Sequence, residues 1–288
     1  MDTSHPRDEQ VVIDALGVIE SLTVSLESYS ALVADGSVIK KTLLISDEAL
    51  AARCPNHPKL HDGAKMNAAD TILDVAGQNP MEPFSPEVLA RIHGVLYDCS
   101  GAVRHSLARA LFYAGDESSM EPLQRLIEQE TRADLIDTSK MVYRYARAAL
   151  GRCETRGNYY FPQGMPRILV ISDEIDLVCD LLDVTDKYGA HLYQSHSAID
   201  LIALGDVVAQ IVDRNLCDSD DWAAYCEFLD ELNEPQAMPL ILIDGDIPVP
   251  KKMGINQPCK SIYYISKYFP QVICGQVDTL LASEKRGQ

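Results

Sequence analysis

Five short apolar runs recur in the last 122 residues of this chain, and their spacing limits what that half can become. Ile168–Ile171, His191–Gln194, Val207–Val212, Leu240–Ile243 and Ile262–Ser266 each have the length and composition of a strand. Asp176–Tyr188, Ala198–Leu204, Trp222–Leu232 and Val272–Ala282 carry helical periodicity, and Gly189 closes the first of them. Strands alternating with helices predict a doubly wound, five-stranded parallel sheet.

The chemistry of that half gathers at the strand ends. The run Ala209–Cys217 stops on a carboxylate, Asp213, where ligands bind in open α/β sheets. Asp173 follows the first run, Asp244 the fourth, and Lys267 the fifth. Carboxylates gathered at neighbouring strand ends repel one another unless a hard cation sits among them, and oxygen ligands with retained water suit Mg²⁺. A lysine opposite could hold a phosphoryl group as a compact point charge. A carboxylate can also attack phosphorus and form an aspartyl phosphate. The competing reading is that acidic residues are common where strands end.

The first half is helical. Asp8–Val33 is amphipathic and free of proline, and Ser37–Arg53 predicts a second helix before Pro55. A 39-residue offset then aligns Val103 with Val142 and Leu111 with Leu150; stepping back reaches Ala64 and Ile72. A period near 40 with two helices per unit predicts stacked helical hairpins. Gly151–Pro166 breaks the pattern, and its three consecutive aromatics, Tyr159 to Phe161, predict a packed joint.

Net charge is −18, shared as −8 over residues 1–155 and −10 over 156–288. Such a chain repels phosphate backbones, so nucleic acid is not an expected partner. Between Ser100 and Arg152 the balance reverses slightly, with eight Lys/Arg against seven Asp/Glu, which reads as a solvated helix face. No apolar run reaches the roughly 18 residues that span a bilayer, and Met1–Gln10 lacks the apolar core of a signal peptide. Eight scattered cysteines without a Cys-x-x-Cys pair suit a reducing compartment. The expected location is cytoplasmic, with no membrane partner. Cys54, His57 and His61 fit no zinc spacing and read as a loop around Pro55 and Pro58. His93 and His105 read as ordinary helical histidines.

Two resemblances follow from these residues. Val103-Arg-His-Ser-Leu-Ala-Arg-Ala-Leu-Phe-Tyr-Ala-Gly-Asp with Leu123, Leu126 and Ile127 resembles a HEAT repeat, which implies a partner-binding helical domain. Residues 167–282 resemble a response-regulator receiver domain, through Ile168-Leu-Val-Ile-Ser-Asp-Glu, Gln210-Ile-Val-Asp-Arg-Asn-Leu and Tyr264-Ile-Ser-Lys-Tyr-Phe. That resemblance implies Asp213 as phospho-acceptor and Mg²⁺ on Asp173, Asp213 and the Asn215 carbonyl. It implies Lys267 as the phosphate contact and Tyr264 as the aromatic switch. Three positions depart from the family. Ser172 stands at a usual acidic site, Tyr268 replaces a proline, and Asp244 replaces the hydroxyl that donates to the phosphoryl group. An ionised carboxylate cannot donate that bond.

The expected organisation is a HEAT-like all-α domain over 1–155, a linker over 156–166 and a receiver-like domain over 167–288. The expected function is two-component signalling, with a histidine kinase or phosphotransfer protein as donor, a protein partner on the helical domain, and a homodimer as one arrangement. No enzymatic activity is expected beyond turnover of the receiver's own aspartyl phosphate. The alternative is an unphosphorylated pseudo-receiver scaffold.

Overall fold

A computed structural model describes residues 8–22, 58–80, 82–98, 100–132, 137–156, 165–194, 207–213, 240–243, 262–265 and 270–287. The chain divides into two compact units, Met1–Cys153 and Glu154–Gln288.

The first unit is helical among the described residues. Helices α1 (Glu9–Leu22), α2 (Pro58–Gln78), α3 (Pro86–Val95), α4 (Gly101–Ala114), α5 (Met120–Arg132) and α6 (Asp137–Arg156) follow in order, with a 3-10 turn at Glu117–Ser119 before α5. α1 buries Val12, Leu16 and Ile19, one apolar stripe at helical spacing, and packs chiefly on α2. α2 in turn packs on α4. α4 and α6 lie side by side and run in the same direction: the His105 ring meets Tyr145 edge-on at 4.7 Å, and the Arg152 guanidinium lies 4.4 Å from the Phe112 ring centre. Pro86 opens α3 at a position where its missing N–H costs nothing, and the preceding Ser85 N–H donates to Glu9 Oε1 at 2.7 Å.

The second unit holds strands β1 (Arg167–Ile171), β2 (His191–Gln194), β3 (Ala209–Asp213), β4 (Leu240–Ile243) and β5 (Ile262–Ile265), with helices α7 (Ile175–Tyr188) and α8 (Pro270–Gly287). The strands pair in parallel in the order β2-β1-β3-β4-β5. β1 and β3 are almost wholly buried, as parallel strands require. α7 ends at Gly189, whose φ of +64° is left-handed and whose N–H caps the carbonyls of Asp186 and Thr185.

The fold class expected from the sequence needs correction in both halves. Eight α-helices make up most of the described residues, and the sheet is small, with strands of four or five residues. A doubly wound receiver-like sheet carries helices on both faces. Among the described residues only α7 and α8 accompany the strands, and they pack on each other and so share one face. The other expected helices, Ala198–Leu204 and Trp222–Leu232, lie outside the described residues. The first unit is not a run of equivalent HEAT-like hairpins either. Its successive pairs have unequal arms, 21 and 10 residues in α2 and α3 against 14 and 13 in α4 and α5. α1 also reaches both helices of the pair that follows it, whereas solenoid units meet their neighbours in one repeated manner.

Local boundaries shift too. The first helix is described over Glu9–Leu22; residues 23–33 and Ser37–Arg53 lie outside the described residues. Gly151 does not break the chain: α6 continues to Arg156, because one glycine costs a helix only about 1 kcal/mol and burial of Ala148, Ala149 and Cys153 offsets it. Pro58 opens α2, so His61 lies on a helix and not in an extended turn.

Candidate functional site

The chain runs from β1 outward to β2, then returns to β3 on the other side of β1. Strand order reverses between these two neighbours, which opens a crevice beyond their carboxyl ends. Register sets what meets there. Ile171 pairs with Val212, so Asp213 is level with Ser172, and Asp173 comes one residue further along. Asp213 is 3% exposed and Asp173 half-buried. The Ser172 hydroxyl accepts the Glu174 N–H at 3.1 Å, closing the turn into α7.

Of the six residues expected at this site, the described structure brings together Asp173 and Asp213. Tyr264 lies on β5, level with Leu242 and Val212, one residue short of the Asp213 row and two strands from β3. Asn215, Asp244 and Lys267 lie outside the described residues. Asp173 and Asp213 offer two hard oxygen ligands at adjacent strand ends, which suits part of a Mg²⁺ shell. Among the described residues no three His, Cys, Asp or Glu side chains form a metal-holding group.

A second polar cluster lies in the first unit, and the sequence reading did not single it out. Lys65 Nζ on α2 donates to both carboxylate oxygens of Asp98, at 2.8 and 2.9 Å, with both side chains fully buried. Asp98 Oδ1 also accepts the Ser100 N–H at 2.8 Å, tying the pair to the start of α4. Arg104 donates to the Asp98 carbonyl at 2.7 Å and, through Nε, to Glu130 Oε1 at 2.7 Å. A signal was present: Lys65 occupies the stripe with Ala68, Ala69, Ile72, Val75 and Ala76, all of them buried. The network has the form of a structural clamp joining α2, α4 and α5.

The histidines stand as ordinary helical residues. His93 Nε2 is 2.9 Å from the fully buried Ser119 Oγ. Burial holds its imidazole below the usual range, and the Asp116 charge pulls it partly back. His105 packs edge-on against Tyr145. Cys54 and His57 lie outside the described residues.

No protein-family model matches the chain, and no curated protein and no solved structure matches it either. Among the described residues no helix is long and apolar enough to cross a membrane.

Proposed function

We propose that the chain is a cytoplasmic signalling protein in which Asp213 accepts a phosphoryl group and the helical unit engages a protein partner. The observation that supports this is the position of Asp213, at the carboxyl end of the central strand β3 and beside the β1 end that carries Asp173. An Asp213 carboxylate oxygen would attack phosphorus in a phosphohistidine. A P–O bond would form, the P–N bond would break, and the released imidazole would take up a proton. Mg²⁺ held by Asp173 and Asp213 would supply charge neutralisation for the incoming phosphoryl oxygens.

The test is intact mass after incubation with acetyl phosphate and Mg²⁺. One added phosphoryl group on the wild type, absent from Asp213→Asn, is the expected result. No added mass on folded wild-type protein overturns the reading.

A specific observation favours a second reading, an unphosphorylated scaffold. The Ser172 hydroxyl is buried and engaged in the local turn where a metal-binding carboxylate is expected, and Asp213 itself is almost closed off from solvent. On that reading neither acetyl phosphate nor beryllofluoride alters the protein, and the helical unit binds its partner at constant affinity.

A further inference from the structure

Asp213 has a strand neighbour on each side, and the two differ in what they offer. β3 lies between β1 and β4. On β4 the residue level with Asp213 is Ile243, and isoleucine carries no hydrogen-bond donor in its side chain. Past the end of β1 it is Ser172, since Ile171 pairs with Val212. Val170 pairs with Ile211, and Ser172 and Asp213 each follow two residues later. The hydroxyl and the carboxylate therefore continue one face of the sheet. Neighbouring strands are about 4.8 Å apart, which sets the two side chains within reach of a group they share.

Both residues are almost closed off from solvent, Asp213 at 3% exposure and Ser172 at 4%. A phosphoryl group on Asp213 brings charge into that setting, and charge away from water is costly unless it is hydrogen-bonded. Asp173, one residue beyond the row, offers acceptor oxygens. Ser172 offers a donor, and its oxygen is held in place: Oγ accepts the Glu174 N–H at 3.1 Å as the chain turns into α7. That bond engages a lone pair of the hydroxyl and not its proton. Whatever acceptor the proton serves in the unmodified protein, an anionic phosphoryl oxygen is a stronger one.

We infer that the Ser172 hydroxyl donates to the phosphoryl group carried by Asp213, which makes the serine a residue of phosphoryl transfer as well as of the turn into α7. The inference rests on the reading that Asp213 is phosphorylated. With acetyl phosphate as donor, an Asp213 carboxylate oxygen forms a bond to phosphorus and the bond from phosphorus to the acetate oxygen breaks. Acetate leaves with that electron pair, and no proton changes hands. The hydrogen bond to Ser172 is made with the incoming phosphoryl group, so its removal should slow the transfer.

The experiment follows phosphoryl incorporation by intact mass in the full-length wild type, Ser172→Ala, Ser172→Cys, Ser172→Thr and Asp213→Asn, with acetyl phosphate and Mg²⁺. Loss of a hydrogen bond to a charged group should lower the initial rate about tenfold in Ser172→Ala and Ser172→Cys. Cysteine keeps nearly the size of serine with a much weaker donor, so its thermal melt should stay close to that of the wild type. Threonine keeps the hydroxyl and should restore the transfer. Wild-type rates in Ser172→Cys, or a Ser172→Thr as slow as Ser172→Ala, would overturn the inference while leaving phosphorylation of Asp213 in place. A folded wild type that gains no mass would overturn both, because Ser172 then has no phosphoryl group to hold.

Discussion

The Lys65 ammonium is fully buried against both oxygens of Asp98, 33 residues away in sequence. Taking two charges out of water is costly, and the pair is retained because Ser100 and Arg104 satisfy the groups around it. Lys65→Met strands a buried carboxylate and should cost about 3–5 kcal/mol in urea unfolding. The double variant Lys65→Met/Asp98→Leu should lose less than the two singles together, since neither charge is then left alone. A strictly additive double would show that the pair is not coupled.

His93 gives the first unit a pH dependence. Its folded imidazole titrates below the unfolded value because of burial. The unfolded chain therefore binds more protons as pH falls through about 6.5, and stability drops across the window from there to the folded value. His191 in the second unit, lowered by burial and by Arg167, acts in the same direction. The urea midpoint of the wild type should fall between pH 7 and 5, and His93→Gln should flatten part of that fall. A midpoint that rises on acidification would contradict the assignment.

Two glycines should fail for different reasons when changed to alanine. Gly189 has open space around it, but its φ of +64° is one that L side chains adopt at a cost of about 1–2 kcal/mol. Gly189→Asn should recover part of that loss, since asparagine tolerates the left-handed region. Gly115 has an ordinary φ, but a Cβ there would meet the Leu111 carbonyl at 2.5 Å and Cys153 Sγ at 2.9 Å. Gly115→Ala should cost about 1–3 kcal/mol by crowding, and Gly115→Asn should be worse rather than better. Thermal melts of the four variants separate the two causes.

These contrasts show what the sequence could and could not reveal. Strand runs and Gly189 were legible because short apolar runs and a C-terminal glycine are local signals. The 39-residue offset was legible because it is an adjacency in space: His105 meets Tyr145 and Phe112 meets Arg152, both 40 residues on. Lys65–Asp98 was hidden, because a lysine inside a helical pattern looks solvated until the stripe it shares with Ile72 is seen to be buried. Of the two positions that stepping back reaches, Ile72 is buried like Leu111, whereas Ala64 is exposed where Val103 is buried.

Cys274 on α8 is half-buried, and its thiol is pushed up to about 11 by burial first and then by the charges of Asp180 and Asp183 on α7. At pH 8 only about one molecule in a thousand should carry the reactive thiolate there. Iodoacetamide labelling followed by peptide mapping should find Cys274 modified far more slowly in native protein than in urea. Asp180→Asn should raise the native rate, because it removes one of the opposing charges. Equal rates in native and unfolded protein would place the thiol in an ordinary aqueous setting.

A last prediction concerns the two carboxylates at the β1 and β3 ends. If Asp173 and Asp213 hold Mg²⁺, the ion binds the folded second unit and not the unfolded chain, so it must stabilise that unit by mass action. At a hundred times its Kd the gain is about 2.7 kcal/mol, visible as a rise of several degrees in the melting temperature. Asp173→Asn should abolish the rise while leaving the metal-free melt nearly unchanged, because Asp173 is half-exposed. Asp213→Asn should abolish it as well but also shift the metal-free melt, since Asp213 is buried in the centre of the sheet. A Mg²⁺ response that survives Asp173→Asn would move the cation away from this crevice, and phosphoryl transfer at Asp213 would lose its metal support.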